Sequence, residues 1–192
     1  MNLNKIVIIT ALFVAAPCFA AWSLDNDASQ VSFVSVKAGD AGEVHRFTEL
    51  SGSVSAAGNA SVTIQLASVD TLIPLRDDRM RELLFQTELF PTASLSTSID
   101  TDILNALEPG ESMDMTADLT LDLHGKKILL TAETIVARLG NHRLMVSSRK
   151  PVIVNAASVD LVNGIEALRE IANLPSISKA VPVSFVLTFD KD

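Results

Sequence analysis

From Met113 the chain alternates without a break. Met113, Met115, Ala117, Leu119, Leu121 and Leu123 are apolar, and Asp114, Thr116, Asp118, Thr120, Asp122 and His124 are polar. Period two over this length predicts a strand with one buried face. Gly125 then supplies a tight turn, and the chain returns through Ile128, Leu130, Ala132 and Val136, which predicts a hairpin. "SVTIQLASV" repeats the pattern, with Val62, Ile64 and Leu66 inward and Thr63 and Gln65 outward; the turn-rich "AAGN" before it predicts pairing with a strand near Phe47 to Val54. The final "VPVSFVLTF" aligns Val181, Val183, Phe185, Leu187 and Phe189, and Pro182 places its start at an edge or entry position. "VSFVSV" is mixed, because Val31 and Phe33 share one parity and Val34 and Val36 the other; a bulge or burial on both faces is expected there.

Two stretches carry a helical period instead. In "RDDRMRELLF", Arg76 to Phe85, six of the first seven residues are charged and Met80, Leu83 and Leu84 form the apolar face. Pro74 precedes it and Pro91 follows; Asp77 and Asp78 suit the first turn, and Asp77 and Arg81 stand as i,i+4 partners. The other is "GIEALREIAN", Gly164 to Asn173, with Ile165, Leu168, Ile171 and Ala172 on one stripe. The whole reads as mainly β: an antiparallel barrel or sandwich of about eight strands with two short helices over an end or a side.

The ends change the picture. Lys5, the apolar run Ile6 to Ala16 and the small residues Cys18 and Ala20 have the layout of a secretory signal peptide, residues 1–20, cleaved before Ala21. A lipid anchor at Cys18 is disfavoured, since Pro17 stands where a small residue is wanted. The remaining chain, 21–192, is expected to form a single secreted or periplasmic domain. It has no cysteine, so its core must hold it together without disulfides. With 23 acidic residues in the full chain against 15 basic ones, nucleic acid and electrostatic docking onto anionic membranes are not expected, nor is stable membrane insertion.

"ASVDTLIPLRDDRMRELLFQTELFP" resembles the most distinctive stretch of the YceI-like family, through Ser68, Thr71, Arg76, Asp77, Met80, Phe85, Phe90 and Pro91. "WSLDNDASQVSF" near the start and the turn "LDLHG" are similar to further family motifs, so the resemblance spans most of residues 22 to 138. Arg46 stands where members often carry Gly, Asp122 and Lys126 depart from the usual turn, and the tail from Pro151 fits the pattern poorly. The resemblance implies a lipocalin-like antiparallel β-barrel that can hold an isoprenoid, quinone tail or other lipid-like chain. On that reading Phe33, Phe47, Val62, Ile64, Leu66, Leu119, Leu121, Phe185 and Leu187 would line the interior. Arg76, Asp77, Met80, Leu84, Phe85 and Phe90 would form a lid or rim, with Arg76 and Asp77 as candidates to meet a polar head group. The same aliphatic residues would serve a dry, packed core.

No cofactor and no metal site are expected, because no two His stand at ligand spacing. His124 and His142 fall in turns, where exposure is the simplest expectation. An enzyme acting on a hydrophobic substrate remains an alternative, with His45 beside Glu43 or Glu49 as its centre. A ligand-free structural or stress-response partner of a membrane redox protein is the other alternative. Nothing in the pattern bears on oligomeric state.

Overall fold

A computed structural model describes residues 20–192. The signal peptide and Cys18 expected from the sequence lie outside the described residues, apart from the backbone of Ala20. In chain order the elements are β1 (Ala20–Leu24), β2 (Gln30–Lys37), β3 (Ala41–Phe47), β4 (Leu50–Ser55), β5 (Asn59–Gln65) and β6 (Val69–Asp70). A helix follows, α-helical as α1 (Pro74–Arg79) and π-wound over Met80–Phe85. Then come β7 (Thr92–Ser98), α2 (Thr101–Ala106), β8 (Ser112–Leu123), β9 (Lys126–Gly140), β10 (Arg143–Ser148), β11 (Val152–Asn155), α3 (Val162–Ile171) and β12 (Ala180–Lys191).

The strands close on themselves. The antiparallel order β1-β4-β5-β7-β8-β9-β10-β12 returns to β1, an eight-membered ring. At the other end of the ring β12 pairs with β2, β2 with β3, and β3 with β6. Each early wall strand is therefore one path broken in two: β1 with β2, β4 with β3, β5 with β6. The strand expected near Phe47 to Val54 is such a path, and it breaks at Thr48 and Glu49. The breaks lie side by side and are stitched together. Asn26 accepts from Leu50 N at 2.7 Å and donates to Thr48 O at 3.2 Å. Ser68 Oγ accepts from Thr48 N and Glu49 N at 3.2 and 3.0 Å and donates to Gln65 O at 2.7 Å. These side chains satisfy the backbone groups that the broken ladders leave over.

The β8–β9 hairpin is the longest ladder, from Leu123↔Lys126 to Ser112↔Ala137. Its two-residue turn places His124 at φ 53° and Gly125 at φ 72°. Positive φ at both positions is what a type I′ turn demands, and its twist matches that of the strands. The alternation in β8 is realised: Ala117 and Leu121 are buried, while Asp114, Thr116 and Asp118 are exposed. Pro182 faces Ile153 of β11 and lies just outside the β2 pairing, which runs from Val183. Its missing N–H is thus tolerated at the entry of the strand.

The mixed strand resolves differently. The β2–β3 register is continuous from Val31↔Phe47 to Lys37↔Ala41, with no bulge. Val31 and Phe33 are buried, and Val34 and Val36 on the opposite parity are half-buried, which is two-sided burial. Among the described residues the α-helices number three rather than two. The addition, α2, starts at Asp100, whose carboxylate accepts from Asp102 N, and it is too short to show a period. The helix expected at Gly164 begins at Val162, so Gly164 sits inside α3. A Cβ there would meet Leu83 O and Leu84 Cα, both at 2.7 Å, so this glycine lets α3 touch the π turn.

Candidate ligand cavity

The ring encloses a cavity of about 380 Å³, within the range of about 300–1,000 Å³ usual for ligand pockets. Its wall is the inward parity of the strands, and aliphatic side chains dominate it. All nine interior residues expected from the sequence, Phe33, Phe47, Val62, Ile64, Leu66, Leu119, Leu121, Phe185 and Leu187, line it. Of the expected rim, Arg76, Met80, Leu84 and Phe85 line it as well. Phe85 descends onto Phe47 and Phe33, with ring centroids 5.7 and 6.5 Å apart, so the helix is keyed to the wall by aromatic contacts.

Two rim residues sit elsewhere. Asp77 is buried and turned away from the cavity wall; its Oδ1 accepts from Thr71 N at 2.8 Å and Thr71 Oγ1 at 2.5 Å. It locks the loop into the helix rather than facing a head group, and Arg81 pairs with Asp78 at 2.8 Å instead of with Asp77. Spacing alone pointed to the wrong carboxylate because burial, not proximity along the helix, decides Asp77's partner. Phe90 lies on the β8–β9 turn, its ring 4.1 Å from that of His124. His124 is accordingly half-buried rather than exposed, whereas His142 is exposed.

One end of the cavity is polar. The inward parity of β2 runs on from Val31 and Phe33 to Ser35 and Lys37, and β3 places His45 across from Phe33 and Glu43 across from Ser35. From α1, Arg76 reaches the same place: Nη1 donates to Glu43 Oε2 at 2.5 Å and Nη2 to Thr71 O at 2.6 Å. Lys37 Nζ lies 2.6 Å from the same Glu43 oxygen. The hydrogen bond from Lys37 and the charge of Arg76 hold the Glu43 carboxyl below its ordinary range. His45 is 3 % exposed, and burial, reinforced by Arg76, lowers its pKa. It is therefore neutral near pH 7. Ser35, Lys37 and Arg79 were not read from the sequence as cavity residues. Parity counted on from Val31 and Phe33 would have found the first two.

The enzyme alternative requires a base oriented by a second group and a nucleophile held by the first. His45 does meet Glu43 in the cavity, while Glu49 is exposed and outside it. Ser35 Oγ lies 2.9 Å from His45 Nε2, but Glu43 approaches that same nitrogen, at 4.0 Å. Nδ1, where an orienting carboxylate would bind, has no partner. The grouping lacks the relay geometry. Among the described residues no cluster of three or more His, Cys, Asp or Glu converges on one point.

The YceI-like domain family matches residues 22–189. The chain belongs to the YceI-like family. The match runs through the tail from Pro151, which forms β11, α3 and β12, so that segment is part of the family domain. Among solved structures the chain is similar to a polyisoprenoid binding domain from Saccharophagus degradans implicated in plant cell wall breakdown, at 41% identity and TM-score 0.89 over 91% of this chain and 100% of that one. It also resembles BcnA of Burkholderia cenocepacia, at 21% identity and TM-score 0.65 over 86% and 98% of the two chains, a likeness of fold. Comparison with the curated proteins returns no match. Among the described residues no helix is long and apolar enough to cross a membrane.

Proposed function

We propose that this family member is a non-enzymatic carrier that holds the apolar chain of an isoprenoid, quinone or similar lipid inside its barrel after export to the periplasm. The observation that carries the reading is the cavity itself, a tube of aliphatic side chains where a ligand-free barrel would be packed solid. An alkyl or prenyl chain needs no polar partner there, and each buried CH₂ contributes roughly 0.8 kcal/mol. The polyisoprenoid binding domain from Saccharophagus degradans, alike over nearly the whole chain, supports the same ligand class. A structural partner with no ligand would have no use for this space.

The test is native mass spectrometry and solvent extraction of protein purified without detergent. An apolar chain released on unfolding is the expected result. Protein that yields no lipid and fails to take up a fluorescent prenyl probe would overturn the carrier reading. N-terminal sequencing of exported protein should begin at Ala21; retention of residues 1–20 would refute cleavage.

A further inference from the structure

Among the described residues eleven large hydrophobic residues are exposed, and four of them, Val44, Leu72, Ile73 and Leu75, meet beside the opening of the cavity. We propose that these four form a membrane-contact patch, through which an apolar chain passes directly between a lipid bilayer and the barrel. The assignment rests on the carrier reading.

Position comes first. Lys37, Glu43 and Arg76 line the cavity and still reach solvent, so the mouth lies among them. Arg76 ties two apolar segments to this mouth. Its Nη1 donates to Glu43, the neighbour of Val44, and its Nη2 donates to Thr71 O, beside Leu72. Ile73 starts α1, its carbonyl accepting from Arg76 N and Asp77 N, and Leu75 lies in the first turn. Val44, Leu72, Ile73 and Leu75 are 67, 83, 49 and 60 % exposed, and none of them lines the cavity. They flank its opening from outside.

The patch is also held in place. Leu72 has φ 62°, a left-handed conformation that strains a bulky residue. It is pinned there: Leu72 N donates to Asp70 Oδ1 at 2.9 Å, Arg46 grips the same Asp70, and Thr71 is locked to Asp77. An Asn would adopt this conformation at lower cost. Local stability therefore does not account for a leucine here, nor for its exposure.

Size and surroundings select the occupant. At these exposures the four residues offer on the order of 450 Å² to solvent, against about 800 Å² from each partner in a standard protein interface. A second protein chain would be poorly held by so small a face. A bilayer needs no matched surface, and apolar side chains dip into its headgroup boundary. Leu75 and Arg79 stand i,i+4 on α1, and Lys37 lies beside Glu43, so cations border the apolar surface. A bilayer presents phosphate and then hydrocarbon in that arrangement. The acidic chain as a whole has no pull toward an anionic surface, so apolar burial supplies the contact and the contact is brief. A prenyl chain that crosses here moves from hydrocarbon to cavity without exposing its length to water.

The experiment follows a fluorescent prenyl alcohol from the protein to phosphatidylcholine vesicles, at constant protein and rising vesicle concentration. Transfer through the patch makes the rate rise in proportion to vesicle concentration. A rate independent of vesicles would mean release into water and overturn the proposal. Leu72→Asn with Leu75→Gln suits a left-handed turn and a helix. This pair should slow transfer at least about tenfold, with equilibrium affinity for the probe unchanged because neither side chain lines the cavity. An unchanged rate would overturn the patch. Leu129→Gln is the control: Leu129 is exposed on β9, which pairs with neither β3 nor β6, and transfer should keep its rate. Equal slowing by that control would overturn the location. Sedimentation tests the other occupant; self-association that the double substitution abolishes would make the patch a dimer face and overturn the bilayer. A probe that never binds the protein would overturn the carrier reading, and this one with it.

Discussion

Gly164→Ala sets two effects of known sign against each other. Alanine is the better helix former by about 0.8–1.0 kcal/mol, so on propensity alone the substitution stabilises α3. Packing opposes it. The new methyl would lie 2.7 Å from Leu83 O and Leu84 Cα, and must retreat by about 0.8 Å to reach an ordinary contact of about 3.5 Å. Both neighbours are backbone atoms of the π turn, so no side chain can step aside, and overpacking of this kind costs about 1–3 kcal/mol. The net expectation is a loss of up to about 2 kcal/mol, and about 2–4 °C in Tm for each kcal/mol in a domain of this size. Asn163→Ala is the control: Asn163 is exposed one residue earlier in the same helix, and it should gain a few tenths of a kcal/mol. Thermal and urea melts of the three proteins settle the matter. A Gly164→Ala variant that melts higher than its parent would refute the close approach of α3 to the π turn.

Three further outcomes follow. His45 is neutral in the fold with a lowered pKa, so below the ordinary imidazole value of about 6.5 the unfolded chain binds a proton that the folded chain refuses. Stability is therefore full above that pH and declines as pH falls toward the folded pKa; His45→Phe should flatten this slope in urea melts, and an unchanged slope would count against the burial of His45. Asp77→Ala strands Thr71 N and Oγ1, and should lower stability by about 1.5–3 kcal/mol with early amide exchange at Thr71; a change below 0.5 kcal/mol would contradict the lock. Ala93→Phe places a ring in the cavity wall, and should abolish uptake of a prenyl probe while far-UV dichroism stays the same; full uptake would place the chain elsewhere.

The interior was legible in the sequence because period two is enforced over long strands. Every residue placed inward by alternation in β5, β8 and β12 reaches the cavity or the core around it. The polar mouth was not legible, for the same reason. Ser35 and Lys37 obey the parity of Val31 and Phe33, but a search for apolar residues stops where the inward face turns polar. Arg46 and His45 are neighbours in sequence and lie on opposite faces, Arg46 outside with Asp70 at 2.9 Å and His45 within. Only pairing with β2 tells them apart. Asp77 parts from Arg76 because it is claimed by Thr71 across a short loop, whereas Arg76 stays in the cavity wall, held by Glu43 from a distant part of the chain.

Closure of the ring has a consequence for timing. Trp22 lies opposite Lys191, and Leu24 opposite Phe189. The first stave of the wall waits for the last to be synthesised, so no length of nascent chain short of the whole can seal the barrel. The single tryptophan, 3 % exposed in the finished seam beside Arg138 and Lys191, is a built-in reporter of that final step.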